Sequence, residues 1–196
     1  MAGTWQRLAH VALSSAGDTI DSGTFTAKKN LKVIIFVINS GAVRTGIRFN
    51  SDSGNNYAHR RQVNGGSDAT NVNHNRIVAD TDVDGSDYTV ANIINKSDKE
   101  KLIRIERIHQ SGSGASNTPE REEMVGKWVN TSDSITSIQA YNAESGDFGV
   151  GSYITVFGAS GDTVTDTTDD GSIFEASDTG KHYIWNATSD SWTEIV

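Results

Sequence analysis

The stretch NLKVIIFVINSGAVRTGIRFNSDSGNNY, residues 30–57, is the one place in the chain where high apolar density and turn chemistry occur together. Residues 31–38 are almost continuously apolar and rich in β-branched side chains, which predicts a strand that is covered on both faces. A Ser-Gly pair ends this strand, and residues 43–49 form a second one. Residues 50–56 are polar residues that favour tight turns. The stretch therefore predicts two consecutive strands followed by a structured loop.

The overall composition favours short strands joined by tight turns over a helical bundle. The 196-residue chain is 35% apolar and contains 19 Gly, a single Pro and no Cys. These values predict an all-β fold. The absence of Cys excludes disulfides and thiolate metal sites. The longest apolar run, residues 33–38, is far shorter than the ~20 residues that cross a bilayer, so we expect a soluble protein without a membrane partner.

Three segments are ambiguous when only local pattern is considered. Residues 101–110 contain good helix formers, but the alternation of isoleucine with charged residues favours a strand. Residues 65–75 are too polar to pack and predict an exposed loop. Residues 120–124 are predicted to begin a turn of helix, after which Trp128 enters the core.

Composition and charge both change after residue 158. Residues 1–158 are predicted to form a β-sandwich domain, residues 159–171 an acidic Ser/Thr/Asp linker, and residues 172–196 a small aromatic β-hairpin module. Residues 159–196 contain eight acidic residues and one basic residue, a balance of −7, which leaves 17 acidic and 16 basic residues, a balance of −1, for residues 1–158. Because phosphate binding requires a basic face, this distribution argues against nucleic acid as a partner.

Four short motifs follow one another in the larger domain: RFNSDSGNNY at residues 48–57, ITSI at 135–138, GDF at 146–148 and GSYITVFG at 151–158. In this order they resemble a group of small virion structural proteins of tailed bacterial and archaeal viruses. The resemblance covers residues 4–158 and implies a single antiparallel β-sandwich of the jelly-roll type. It also implies a non-enzymatic function in the virion, as a capsid decoration protein or a tail or fibre subunit. The expected partners are other virion proteins and copies of the chain itself, as a homotrimer.

The C-terminal segment has little core material of its own. Its large side chains include Phe174, Tyr183, Trp185 and Trp192. A unit of this size is too small to be stable alone, so these four aromatic residues are predicted to lie at an interface with another surface. The segment is similar to a short aromatic hairpin module found at the ends of phage virion proteins.

The polar loop of the first motif, with Asn50, Asp52, Gly54 and Tyr57, allows two interpretations. In the structural one, Asn50 and Asp52 bond to their own backbone two residues on, Gly54 adopts a positive φ, and Tyr57 packs its ring against the loop. In the functional one, the same residues contact a ligand or a neighbouring subunit. The sequence leaves both open.

A run of alternating carboxylates, Asp80, Asp82 and Asp84 followed by Gly85, is the sharpest chemical motif. Such spacing allows a loop to wrap a hard cation, as in the first half of an EF-hand. The second half is missing, because Ala91 stands where the bidentate Glu is required. A calcium site on a β-loop and a solvated acidic turn are both consistent with the pattern. No other cofactor is expected.

Signatures of enzymes are missing from the sequence. The histidines are dispersed, and no nucleophile elbow, P-loop or paired metal-binding histidines occur. We therefore predict a non-enzymatic protein. The alternative to a virion structural function is a β-sandwich that binds a host-surface glycan or receptor, for which exposed aromatic side chains would serve as platforms. The candidates for such platforms are Trp5, Tyr57, Tyr88 and Tyr141.

Overall fold

The computed structural model describes residues 5–79, 85–110, 112–142, 144–160, 173–176, 178–186 and 191–195. It divides the chain into two compact units, Trp5–Ser160 and a second unit of Gly161–Val196 with Met1–Thr4. All regular elements of the described residues are strands, which confirms the predicted all-β fold. Within these residues there is no helix with the length and apolar character of a membrane span.

The described residues of the larger unit form thirteen strands, and all pairs among these strands are antiparallel. They are β1 Gln6–Ala12, β2 Thr19–Asp21, β3 Asn30–Ser40, β4 Gly46–Phe49, β5 Tyr57–Val63, β6 Ala69–His74, β7 Ile77–Val78, β8 Ser86–Ile94, β9 Lys101–His109, β10 Glu120–Trp128, β11 Ile138–Tyr141, β12 Asp147–Phe148 and β13 Tyr153–Ala159. The large sheet has the order β1-β13-β3-β8-β9-β10-β5-β6, with β12 paired to β3. The small sheet has the order β2-β11-β4-β7.

The core lies between the two sheets. Buried apolar side chains from both sheets belong to one cluster, for example Val33 and Ile35 from the large sheet and Ile47 and Ile138 from the small sheet. Side chains alternate across a strand, so each sheet turns one face to this core. The unit is therefore an antiparallel β-sandwich.

The central apolar strand β3 differs from its prediction on one face. Val33, Ile35 and Val37 are buried against the core, as expected. The outward residues are only partly covered, and Ile38 is exposed. The reason is that β3 lies in the middle of a sheet whose outer face is not covered by a second sheet within the described part of this unit. The prediction of a strand covered on both faces was wrong for the outer face.

Two of the ambiguous segments also differ from prediction. Residues 120–124 begin strand β10 and not a helix, because β10 is paired along its length with both β9 and β5. The predicted loop at residues 65–75 contains the edge strand β6, which pairs with β5. An edge strand has hydrogen bonds on one side only and needs few apolar residues. By contrast, β9 confirms the predicted strand at residues 101–110.

The described residues of the second unit form a separate three-stranded antiparallel sheet. Its strands are β14 Ile173–Ala176, β15 Lys181–Asn186 and β16 Ser191–Ile195, in the order β14-β15-β16. Gly180, with φ +65°, stands immediately before β15 in a conformation that favours glycine.

Candidate functional site

The loop of the first motif is held to the rest of the sandwich by Asn50. Its side-chain Oδ1 accepts hydrogen bonds from the backbone N–H groups of Thr136 (2.8 Å) and Ser137 (3.1 Å). Its Nδ2 donates to the carbonyl of Ser134 at 2.9 Å. One side chain thereby joins the loop to the segment that leads into β11, and all of its polar atoms are used inside the chain.

Asp52 is the centre of the same loop. Its carboxylate accepts hydrogen bonds from Trp128 Nε1 at 2.7 Å, from the backbone N–H of Gly54 at 2.8 Å and from Asn56 Nδ2. Burial raises the pKa of Asp52, but the hydrogen bonds from Trp128, Asn56 and Gly54 outweigh burial and leave the pKa below its usual value. The carboxylate is therefore charged at neutral pH and fully used as an acceptor.

The prediction that Gly54 has a positive φ was wrong. The left-handed positions are Asn50 and Ser51, with φ of 50° and 56°. A Cβ at position 54 would lie 2.8 Å from Asn56 Nδ2 and 3.1 Å from Asp52 Oδ1, so a larger residue would displace the ends of these two side chains.

Tyr57 is buried, and its hydroxyl connects the loop to β4. The Phe49 N–H donates to this hydroxyl at 3.0 Å, and the hydroxyl donates to the Asp52 carbonyl at 3.1 Å. Burial raises the pKa of Tyr57 well above its usual value. A ring in this position cannot serve as a glycan platform, which removes Tyr57 from those candidates. The structural interpretation holds for Asp52, which accepts from the Gly54 N–H two residues on, and for Tyr57, which contacts the loop. It was wrong for Asn50, whose side chain bonds to residues 134–137 and not to its own loop.

A second polar cluster, which the sequence did not reveal, lies inside the sandwich. The guanidinium of Arg107 on β9 is fully buried, and it donates to Asp87 Oδ2 at 2.8 Å and to Glu122 Oε2 at 3.0 Å. Thr45 and Thr89 donate to the two oxygens of Asp87. We refer to Asp87, Arg107 and Glu122 as the buried ion cluster. The only trace of it in the sequence is that Arg107 has the same strand parity as the buried Ile103 and Ile105.

A buried histidine, His59 on β5, packs edge-on against His74 with 5.7 Å between the ring centres. Burial lowers the pKa of His59 from 6.5 to about 4, and the positive charges of His74, Arg61 and Arg76 act in the same direction. The imidazole is therefore neutral in the folded protein at neutral pH.

This pKa predicts that the protein loses stability as the pH falls from 6.5 to about 4. In that interval the unfolded chain binds a proton at His59 and the folded chain does not, so protonation favours unfolding by up to about 3 kcal/mol. Urea unfolding at several pH values measures the effect. His59→Leu should flatten the pH profile, whereas His182→Gln, a change at an exposed histidine, should not. Equal slopes for the wild type and His59→Leu would contradict the assignment.

The candidate calcium ligands Asp80, Asp82 and Asp84 lie outside the residues that the structure describes, so that site stays a prediction. Within the described ranges there is no group of three or more His, Asp or Glu residues that could hold a metal ion.

The remaining candidate platforms differ in their exposure. Trp5 is 47% exposed and Tyr88 is 41% exposed. Tyr141 is partly covered, because the guanidinium carbon of Arg48 lies 3.8 Å from the centre of its ring. Trp5 lines a cavity of about 550 Å³ on the outer face of the large sheet, together with Ile94, Leu102 and Val125.

The four aromatic residues predicted for an interface are brought together in the three-stranded sheet. Trp185 and Trp192 are directly opposite on β15 and β16, with 5.3 Å between ring centres. Phe174 contacts both Trp192 (5.9 Å) and Tyr183 (6.4 Å). We refer to Phe174, Tyr183, Trp185 and Trp192 as the aromatic face.

The aromatic face is incompletely covered by the described residues of its own unit. Phe174 is 53% exposed and Trp192 is 42% exposed, and on the opposite face of the same sheet Ile173 is 67% exposed. None of the described residues of this unit is buried. Clusters of exposed apolar side chains are typical of surfaces that bind a partner.

Comparisons of the chain with family models, with curated proteins and with solved structures find no match.

Proposed function

We propose that this chain is a non-enzymatic structural subunit of the virion of a tailed virus, either a capsid decoration protein or a tail or fibre subunit. It acts by packing against copies of itself, as a trimer, and against other virion proteins. The observation that carries the proposal is the exposed aromatic face of the three-stranded sheet. The order of the four motifs between residues 48 and 158 supports the virion as the location and a jelly-roll topology for the sandwich.

The energetic argument concerns the three-stranded sheet. Ordering a residue costs on the order of 1–2 kcal/mol of conformational entropy in the backbone alone, and burial of apolar surface is the main term that offsets it. No described residue of this sheet is buried, although it carries two tryptophans, a tyrosine and a phenylalanine. A surface that covers these rings supplies the missing burial. Association is therefore the function that this unit supports best.

The loop around Asp52 suits a subunit that must keep its shape during assembly. Asn50, Asp52 and Tyr57 use their polar groups on the sandwich itself, so the loop is ordered before any partner arrives. Preorganisation of this kind lowers the entropic cost of association.

The proposal predicts that the double substitution Phe174→Ser and Trp192→Ser abolishes self-association. Size-exclusion chromatography with light scattering should give three times the 21.1 kDa chain mass for the wild type at micromolar concentration, and a single chain mass for the variant. The matched control is Val150→Ser, which changes an exposed apolar residue of the sandwich.

Two results would contradict the proposal. A variant that retains the wild-type mass would show that the aromatic face is not the contact. Purified virus particles that lack the chain in immunogold electron microscopy, while infected lysates contain it, would exclude the virion as its location. Circular dichroism of the double variant must show an intact sandwich for a loss of association to support the proposal.

A second candidate, binding of a host-surface glycan, is favoured by one observation. Trp5 is exposed beside a cavity whose lining also includes the polar residues Asn30 and Asn92. An aromatic ring next to hydrogen-bonding groups is the usual arrangement at sugar sites. A glycan array probed with the wild type and with Trp5→Ala separates this candidate from the first.

A further inference from the structure

Two arginine side chains lie beside one tyrosine ring on the outer face of the small sheet. Arg48 points outward from β4, between the buried Ile47 and Phe49. Its guanidinium carbon lies 3.8 Å from the centre of the Tyr141 ring on the neighbouring β11. The guanidinium carbon of Arg76, just before β7, lies 5.7 Å from the same centre.

A glycine creates the space for the second arginine. Gly46 stands directly opposite Tyr141 in the strand pairing. A Cβ at this position would lie 2.7 Å from Cδ and 3.1 Å from Nε of Arg76. The side chain of Arg76 therefore occupies the volume in which any larger residue would place its own side chain.

Both guanidinium groups are held in place by hydrogen bonds to the same residue, Asn75. Arg48 Nε donates to the backbone carbonyl of Asn75 at 3.2 Å, and Arg76 Nη1 donates to the side-chain Oδ1 of Asn75 at 3.0 Å. The carbonyl of Arg76 lies 2.9 Å from Nδ1 of His74. Two flexible side chains are thus fixed before any ligand binds, which removes part of the entropic cost of binding.

Carboxylates act on this pair without forming an ion pair with it: Asp52 interacts electrostatically with Arg48, and Glu144 with Arg76. Among the residues that the structure describes, neither Arg48 nor Arg76 forms an ion pair, whereas the nearby Arg44 lies 3.7 Å from Glu144. Nε of Arg76 is buried and has no hydrogen-bond partner within those residues. Burial lowers the pKa of Arg76 and the charge of Arg48 acts in the same direction, whereas Tyr141 and Glu144 act in the opposite direction. A buried donor without a partner calls for an explanation, such as a bound ion or water.

We infer from these contacts that Arg48 and Arg76, framed by Tyr141 and Gly46, form a binding site for an oxyanion, namely a carboxylate or phosphate group. Guanidinium N–H groups match the oxygens of both groups in a bidentate arrangement. An anion between the two cations removes their mutual repulsion, and the adjacent ring limits the access of water.

The test uses the ¹⁵N-labelled full chain and the arginine Nε–H resonances. Inorganic phosphate and acetate are titrated separately, with sodium chloride adjusted to keep the ionic strength constant. We expect saturable shifts of the Arg48 and Arg76 resonances. Arg76→Gln should weaken the affinity at least about tenfold, because it removes a charged donor. Arg104→Gln, which removes an exposed arginine paired with Glu106 on the large sheet, should leave the affinity unchanged.

Two further variants separate geometry from net charge. Gly46→Ala keeps both arginines but places a methyl group where Arg76 lies, so it should weaken binding as Arg76→Gln does. Glu144→Gln removes a nearby negative charge and should strengthen binding. If Arg76→Gln does not fold, Arg48→Gln takes its place.

The relative affinities identify the ligand group. Phosphate at least tenfold tighter than acetate supports a phosphate group as the natural ligand, and comparable affinities support a carboxylate. The proposal is overturned if neither anion gives a saturable shift, or if Arg104→Gln weakens binding as much as Arg76→Gln. In those cases the two arginines only cover the Tyr141 ring.

Discussion

Arg107→Leu is expected to lower the free energy of unfolding by about 3–5 kcal/mol, measured by urea denaturation at pH 7. The substitution removes the only cation of the buried ion cluster and leaves the carboxylates of Asp87 and Glu122 in the core. Both carboxylates lie within 3.0 Å of the guanidinium, and the side chains of Asp87 and Arg107 are fully buried. A buried carboxylate that loses the guanidinium to which it is paired is strongly destabilised.

The matched control for this prediction is Arg104→Leu on the same strand. Arg104 points outward and pairs with Glu106 at the surface, so its replacement should change stability by no more than about 0.5 kcal/mol. A combined Arg107→Leu, Asp87→Asn and Glu122→Gln variant should recover part of the loss, because no buried charge remains. A loss below about 1 kcal/mol for Arg107→Leu alone would contradict the conclusion that Arg107 stabilises two buried carboxylates.

Trp128→Ala is expected to cost about 3–5 kcal/mol, the usual range for deletion of a large buried aromatic side chain. Trp128 is 1% exposed and packs between the two sheets. Its ring lies 5.8 Å from that of Phe49 and 6.5 Å from that of Tyr57, and its indole N–H donates to Asp52. The substitution therefore opens a cavity and removes a hydrogen bond to a charged group in the same step.

Two variants separate the contributions at this position. Trp128→Phe retains much of the packing but loses the N–H donor, and we expect a cost of at least about 1.5 kcal/mol from the hydrogen bond to the carboxylate. Trp5→Ala, at an exposed tryptophan, should cost far less than Trp128→Ala. If Trp128→Phe were as stable as the wild type, the bond to Asp52 would not hold the loop. Thermal unfolding followed by circular dichroism is a sufficient measurement.

The strands were predictable from the sequence where one face is apolar and the other is charged. Residues 101–110 are the best example, because isoleucines alternate with Arg104 and Glu106 and this period applies whatever the tertiary structure. The same alternation places Arg107 on the buried face. Hydrophobicity alone would instead predict that a charged side chain such as this one is exposed. Its partners Asp87 and Glu122 are 20 and 15 residues away in the chain, so only strand pairing brings the charges together.

The loop of residues 50–57 was predictable as a motif but not in its details. Asn, Asp and Gly at these positions predict a turn stabilised by side-chain hydrogen bonds to the backbone. The sequence does not indicate that Asp52 accepts from Trp128, which lies on a strand 76 residues further along. Glycine tolerates a positive φ best, so the sequence predicts it for Gly54, whereas Asn50 and Ser51 adopt the left-handed conformation.

The arginine pair beside Tyr141 was not predictable from local sequence. Arg48 and Arg76 belong to elements that meet only because β4 pairs with both β7 and β11. The sequence contains a glycine at position 46, but the role of this glycine depends on the side chain of Arg76, which lies just before β7. Sites of this kind arise from sheet order, which is the part of a β fold that periodicity does not determine.

The position of β13 between β1 and β3 has a consequence for folding during synthesis. The pairing joins Gln6 to Gly158, so β1 has to wait for its partner until β13 has been synthesised. At about 5–20 residues per second, that wait is on the order of ten seconds. During this time the edges of β1 and β3 that β13 will cover have no partner, and open strand edges invite pairing with other chains. We therefore expect the nascent chain to depend on chaperones more than its final stability would suggest.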